Sequence, residues 1–133
     1  MANPSVDIAA SIVGGGLAGI TAGNTLSGLI RDANDYVPIN ALFIGGDAGP
    51  QPLRVMGEDK EIRTAIVHIR VRWNSFGPGD GKVRLLQEFL QKVAIAGYLD
   101  VTAMQSEPVP LGSDGNGNFL WIMSYMMVYE DAS

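Results

Sequence analysis

Residues 62 to 73 read IRTAIVHIRVRW, and no other stretch limits the possible folds as strongly. Ala65, Val67, Ile69, Val71 and Trp73 stand at every second position, and Thr64, Ile66, His68, Arg70 and Arg72 fill the places between. Side chains alternate with period two in a strand, whereas a helix would spread both sets around its circumference. Ile62 to Trp73 therefore reads as a strand with one dry face and one wet or partner-facing face. That pattern belongs to antiparallel sheets, because parallel strands buried on both sides read as unbroken apolar runs.

A dry sheet face needs a cover. Asp80 is placed to cap a helix running to about Ala96, with Gly97 just beyond its end. Val83, Leu86, Phe89, Leu90, Val93 and Ala94 recur on one stripe at helical spacing, and Arg84, Glu88, Gln91 and Lys92 lie away from it. This helix is expected to lie across the sheet.

Further strands flank these elements. Residues 19 to 31 suggest an irregular or edge strand, Asp32 to Pro38 is turn chemistry, and Ile39 to Ile44 is a compact strand closed by Gly45-Gly46. Gly45 to Glu61 has no period, and its length implies a segment that is mobile or bound to something. Val101 to Val109 and Asn118 to Glu130 read as the last two strands, joined through GSDGNG. The final strand is largely apolar on both sides, so something beyond the helices is expected to cover one face. The pieces give a single α+β domain spanning residues 1–133. Its antiparallel sheet has about four to five strands, with a short N-terminal helix and one longer helix packed on one face.

At the other end of the chain, Gly14, Gly16 and Gly19 match the spacing G-x-G-x-x-G. A dinucleotide fingerprint needs a strand before those glycines, a helix after them and an acid about 20 residues on. Val6 to Val13 is apolar enough for a strand, but Asn3-Pro4-Ser5 is a better helix start, with Gly14 at the helix end. After Gly19 a helix would have to hold Gly23, Asn24, Thr25, Ser27 and Gly28, and the next suitable acid, Asp47, comes late. The glycine run reads better as a connection than as a cofactor loop. A small nucleotide- or flavin-binding protein using Gly14 to Gly19 is the alternative.

Composition removes other classes. The chain has no cysteine and one histidine, so thiolate sites and paired-histidine metal motifs are excluded. A net charge of −5 argues against non-specific nucleic-acid binding, which needs a basic face. No apolar run is as long as a membrane span, and the opening residues lack a signal peptide's basic region, so the expectation is a soluble protein. Asp114, Asn116 and Asn118 imitate half a calcium loop, but Phe119 and Tyr125 occupy the positions that need glycine and glutamate. No catalytic, cofactor or metal site assembles. The expected functional surface is a subunit interface comprising His68, Arg70, Arg72, Trp121, Met123 and Tyr125. The arginines suit inter-subunit ion pairs, and the methionine and aromatic side chains suit an adaptable contact.

The order of the segments GITAGNTLSGLIRD, NALFIGGDAGPQP, IRTAIVHIRVRW and GYLDVTAMQSEPVPLGSDGNGNFLWIMSYMMVYE resembles the tail terminator, or tail completion, proteins of long-tailed bacteriophages, often labelled minor capsid proteins. The likeness extends over most of the chain and rests on that order rather than on a signature motif. It implies a short N-terminal helix, an antiparallel sheet and a helix across it. It further implies a structural virion protein, not an enzyme, forming a homohexameric ring at the head-proximal end of the tail tube, assembled in the bacterial cytoplasm. Such a ring stops tube polymerisation, joins the tail to the head connector and lets DNA pass through its lumen without sequence-specific binding. No cofactor and no membrane contact are implied.

Overall fold

The structure is a computed structural model and describes residues 4–17, 19–21, 24–27, 40–47, 53–54, 60–113 and 117–132. Two strands form its spine. Lys60–Trp73 (β4) and Phe119–Ala132 (β7) pair antiparallel along their whole length, from Lys60 opposite Ala132 to Trp73 opposite Phe119. Each spine strand has one further edge, and each shares that edge between two shorter strands. Ala41–Asp47 (β2) and Leu53–Arg54 (β3) pair with β4, while Asp100–Ala103 (β5) and Val109–Ser113 (β6) pair with β7. Thr25–Ser27 (β1) adds a parallel edge beside β2, giving a seven-stranded, mostly antiparallel sheet ordered β1-β2-β4-β7-β5, with β3 and β6 off that path.

The sheet has two more strands than the upper expectation, for local reasons. The stretch from Val101 to Val109 is not one strand. The Met104 amide still donates to the Ser124 carbonyl at 2.9 Å, Gln105 to Pro108 then leave the ladder, and the Gln105 side chain takes the place of a strand partner by accepting the Ser124 amide at 2.8 Å. The other addition, β3, is a two-residue pairing opposite Glu61 and Ile62, inside the segment expected to be a loop. Gly45 and Gly46 do not close β2 either; they continue it opposite His68 and Val67. Residues 28–39, which include the expected turn, lie outside the described residues.

Both helices pack on one side of the sheet. Pro4–Gly14 (α1) buries Ile8, Ala9 and Ile12 against β1 and β2. Phe76–Lys92 (α2) buries Val83, Leu86 and Leu90 against β4, β5 and β7. Val83, Leu86, Phe89 and Leu90 form the expected apolar stripe on α2, whereas Val93 and Ala94 lie beyond the helix, Val93 as its extended C-cap packed against the core and Ala94 exposed.

The start of α2 differs from expectation. Its N-cap is Ser75, and Asp80 sits inside the helix, where its carboxylate accepts a hydrogen bond from Arg84 Nε at 3.0 Å. Three glycines and a proline in the first six residues conceal this turn from a propensity reading. Pro78 loses nothing there, since first-turn amides have no intrahelical partner. Gly79 is required by contact: a Cβ at that position would lie 2.5 Å from the Trp121 ring and 2.8 Å from Trp73 Cβ. The helix seats directly on the two tryptophans. It also ends earlier than expected, at Lys92, and Gly97 occupies a later turn with φ +89°.

Candidate functional site

The pairing register assigns every side chain of the spine to a face. Val67 stands opposite Tyr125, Ile69 opposite Met123, Val71 opposite Trp121 and Trp73 opposite Phe119. Directly opposed residues share a face in an antiparallel pair, so these eight lie together beneath the helices. Trp121 and Tyr125 are wholly buried there, and Met123 is 1% exposed.

The six residues expected at one interface are therefore divided by the sheet. Trp121, Met123 and Tyr125 belong to the core. His68, Arg70 and Arg72 lie on the other side, opposite Ser124, Ile122 and Leu120. The reason is register, since a one-residue slip exchanges the faces of an entire strand. With both faces of β7 apolar, its hydrophobic pattern does not fix which half meets the arginines.

Phe43 of β2, opposite Arg70, joins this second face, as do Ile66 and Met126, which pair with each other. No described element covers it. Its apolar side chains are half-buried by their own neighbours in the sheet. The Arg72 guanidinium lies 5.3 Å from the Phe43 ring centroid, within cation–π range.

At the centre, His68 Nδ1 lies 2.7 Å from Ser124 Oγ. A polar chain leads on from Ser124. Its amide donates to Gln105 Oε1 at 2.8 Å, Gln105 Nε2 donates to Gln87 Oε1 at 3.1 Å, and Gln87 Nε2 donates to the Ser106 carbonyl at 2.8 Å. Gln87 lies on α2 and is 6% exposed, so the chain joins the centre of the uncovered face to the helical layer. Nothing in the sequence pattern groups Gln87, Gln105 and Ser124 with the interface residues. Ser124 alone stands out, as a small polar residue inside the apolar run FLWIMSYMMVY.

The glycine run follows a helix and leads to a strand, the reverse of a dinucleotide loop. The amides of Gly15 and Gly16 donate back to carbonyls of α1, at 3.1 Å to Ser11 and 3.4 Å to Val13, so they do not point outward to hold a pyrophosphate. Gly14, expected just past the helix end, belongs to the helix instead, and Gly16, with φ +66°, takes the left-handed position. A Cβ on Gly15 would lie 2.5 Å from the Phe89 ring, so this glycine admits α2 against the end of α1.

Elsewhere the polar features are structural. The Tyr98 hydroxyl donates to Asp7 Oδ2 at 2.6 Å, tying α1 to the connection between α2 and β5. Burial, followed by that hydrogen bond, raises the Tyr98 pKa well above the ordinary tyrosine value, and burial raises Tyr125 likewise. A hollow of about 220 Å³ beside α2 is lined by groups that include Arg84, Glu88 and Glu107. Arg84 pairs with Asp80 at 3.0 Å and approaches Glu107 at 3.8 Å, and Lys92 pairs with Glu88 at 3.1 Å. Among the described residues, no cluster of three or more His, Asp or Glu could hold a metal ion, and no helix is long and apolar enough to cross a membrane. Asp114 and Asn116 lie outside the described residues.

No protein-family model matches the chain, and no curated protein matches it. The geometry defines a class: a two-layer α+β domain that shields one sheet face with helices and leaves the other uncovered by any described element.

Proposed function

We propose that this protein is a structural, ring-forming component of a phage tail, acting at the head-proximal end of the tail tube. In this reading six copies close a ring that ends tube growth and joins the tail to the head connector. The role is assembly rather than catalysis. The observation that supports it most is the uncovered face of β4 and β7, where arginine, histidine and apolar side chains stand side by side. Arginine beside apolar and aromatic surface is the composition favoured in subunit contacts. The resemblance in segment order supplies the particular assembly.

Charge is compatible with the role. A chain at −5 gives a six-copy ring a formal charge of −30. Duplex DNA carries one negative charge per roughly 1.7 Å, so an acidic lumen would repel it and let it slide.

The test is Arg70→Glu with Arg72→Glu, introduced into the phage that encodes the protein. The variant is expected to keep the wild-type circular dichroism spectrum while rings fail to form. Tails should then vary in length and fail to join heads. Normal rings and infectious particles would place these arginines outside the ring contact and remove the main support for the reading.

A further inference from the structure

Among the described side chains, the face that no described element covers carries charge of opposite sign at its two ends. Arg70 and Arg72 stand near the end where β4 finishes, opposite Ile122 and Leu120. At the other end Glu130 stands opposite Ile62, and Asp100 lies opposite Val128, the partner of Thr64. Alternation puts Asp100 and Glu130 on the same face as the arginines. The rows between the two ends hold His68 with Ser124 and Ile66 with Met126.

This polarity decides how the face can meet a copy of itself. A two-fold axis across the strands reverses their direction and brings the arginine end of each copy over the acidic end of the other. With that axis near Val67, the Arg72 row meets the Ile62–Glu130 row, and the Arg70 row meets the Thr64–Val128 row. A two-fold axis along the strands would instead oppose like charges. Size also suffices. Ten residues of strand span about 34 Å, four strands with their side chains span about 20 Å, and two such faces bury on the order of 1,400 Å², within the standard class of stable interfaces.

We propose that the free protein forms a two-fold dimer through this face, sheet against sheet with strands reversed, so that Arg70 and Arg72 of each copy meet the Asp100 and Glu130 end of the other. Stacked sheets lie about 10 Å apart with strand axes turned by about 30°, which leaves the half-buried apolar side chains in contact between them. The proposal rests on the face alone and not on the tail reading. If the ring uses the same face, the dimer is the stored form and must part before a ring closes.

Analytical ultracentrifugation of purified protein, alone and in mixtures, tests this. Wild-type protein should sediment at twice the monomer mass and dissociate on dilution. Arg70→Glu/Arg72→Glu reverses the charge at one end of the face and Asp100→Lys/Glu130→Lys reverses it at the other, so each variant alone sets these four positions against like charge and should be monomeric. Their equimolar mixture should form a dimer containing one of each. A second probe avoids charge reversal: Ile66→Cys, next to the axis, should be cross-linked to its counterpart by a short bismaleimide, whereas Gln91→Cys on α2 should not. Wild-type protein that stays monomeric throughout, or is hexameric when purified, overturns the proposal. So does a mixture that remains monomeric, or cross-linking at Gln91→Cys equal to that at Ile66→Cys. The tail reading fails separately, through tails of normal length in phage lacking the protein.

Discussion

Val71 and Arg72 are neighbours on one strand and meet opposite conditions. Val71 is 1% exposed, packed between Leu42 and Trp121 beneath α2, while Arg72 lies over Phe43 on the face that no described element covers. Everything bulky in the interior collects on the first side, including both tryptophans, and stability should depend on it. The second side holds half-buried apolar groups among charges, so substitutions there should alter association and leave folding almost unchanged. Two faces of one strand thus separate the residues that hold the fold from those available to a partner.

The comparison is broken most severely at Trp121. Replacing it with alanine should cost about 3–5 kcal/mol in a urea titration, the usual range for emptying a large aromatic site. Trp121→Phe should cost clearly less, because the indole N–H is buried with no hydrogen-bond partner among the described residues and phenylalanine removes that donor. Next comes Gly79→Ala. The added methyl meets both tryptophans, and overpacking of this kind costs about 1–3 kcal/mol. An equal or higher melting temperature would mean that α2 does not sit where it is described.

Gln87→Leu should cost about 1–3 kcal/mol, since Gln105 and the Ser106 carbonyl each lose a partner beneath the helix. Alkaline pH tests the Tyr98–Asp7 link. A pKa raised in the folded state gives a contribution that is full below the unfolded tyrosine value of 10.0 and fades as pH rises above it. Stability should fall above about pH 10, and Tyr98→Phe should fall less steeply over that range. The smallest effect belongs to the uncovered face, where Arg70→Ala, measured at a dilution that keeps the protein monomeric, should change stability by no more than about 0.5 kcal/mol.

How far the sequence foretold this depends on where each residue's surroundings come from. The alternation of β4 was legible because one face is apolar and the other polar, and the stripe on α2 for the same reason. The first turn of α2 was hidden, because Gly77, Pro78 and Gly79 contradict helix propensity and make sense only once Trp73 and Trp121 lie beneath them. Register was the larger loss. The two apolar faces of β7 gave no basis for choosing between Trp121, Met123 and Tyr125 and their neighbours Leu120, Ile122 and Ser124, and the interface set joined residues from opposite sides. The break after Ala103 was equally concealed, because it depends on a glutamine side chain standing in for a strand.

The division of the sheet can be measured directly because the chain contains no cysteine. Ile122→Cys and Met123→Cys place a thiol on successive residues of β7, one on each face, and maleimide labelling rates report their access to solvent. In dilute folded protein the thiol at 122 should label readily, and the thiol at 123 should label only as fast as the chain unfolds. On concentration, the thiol at 122 should become protected as the face meets a partner, while that at 123 should not change. Fast labelling at 123, or protection at 122 in the dilute monomer equal to that at 123, would contradict the assignment of one covered and one uncovered face.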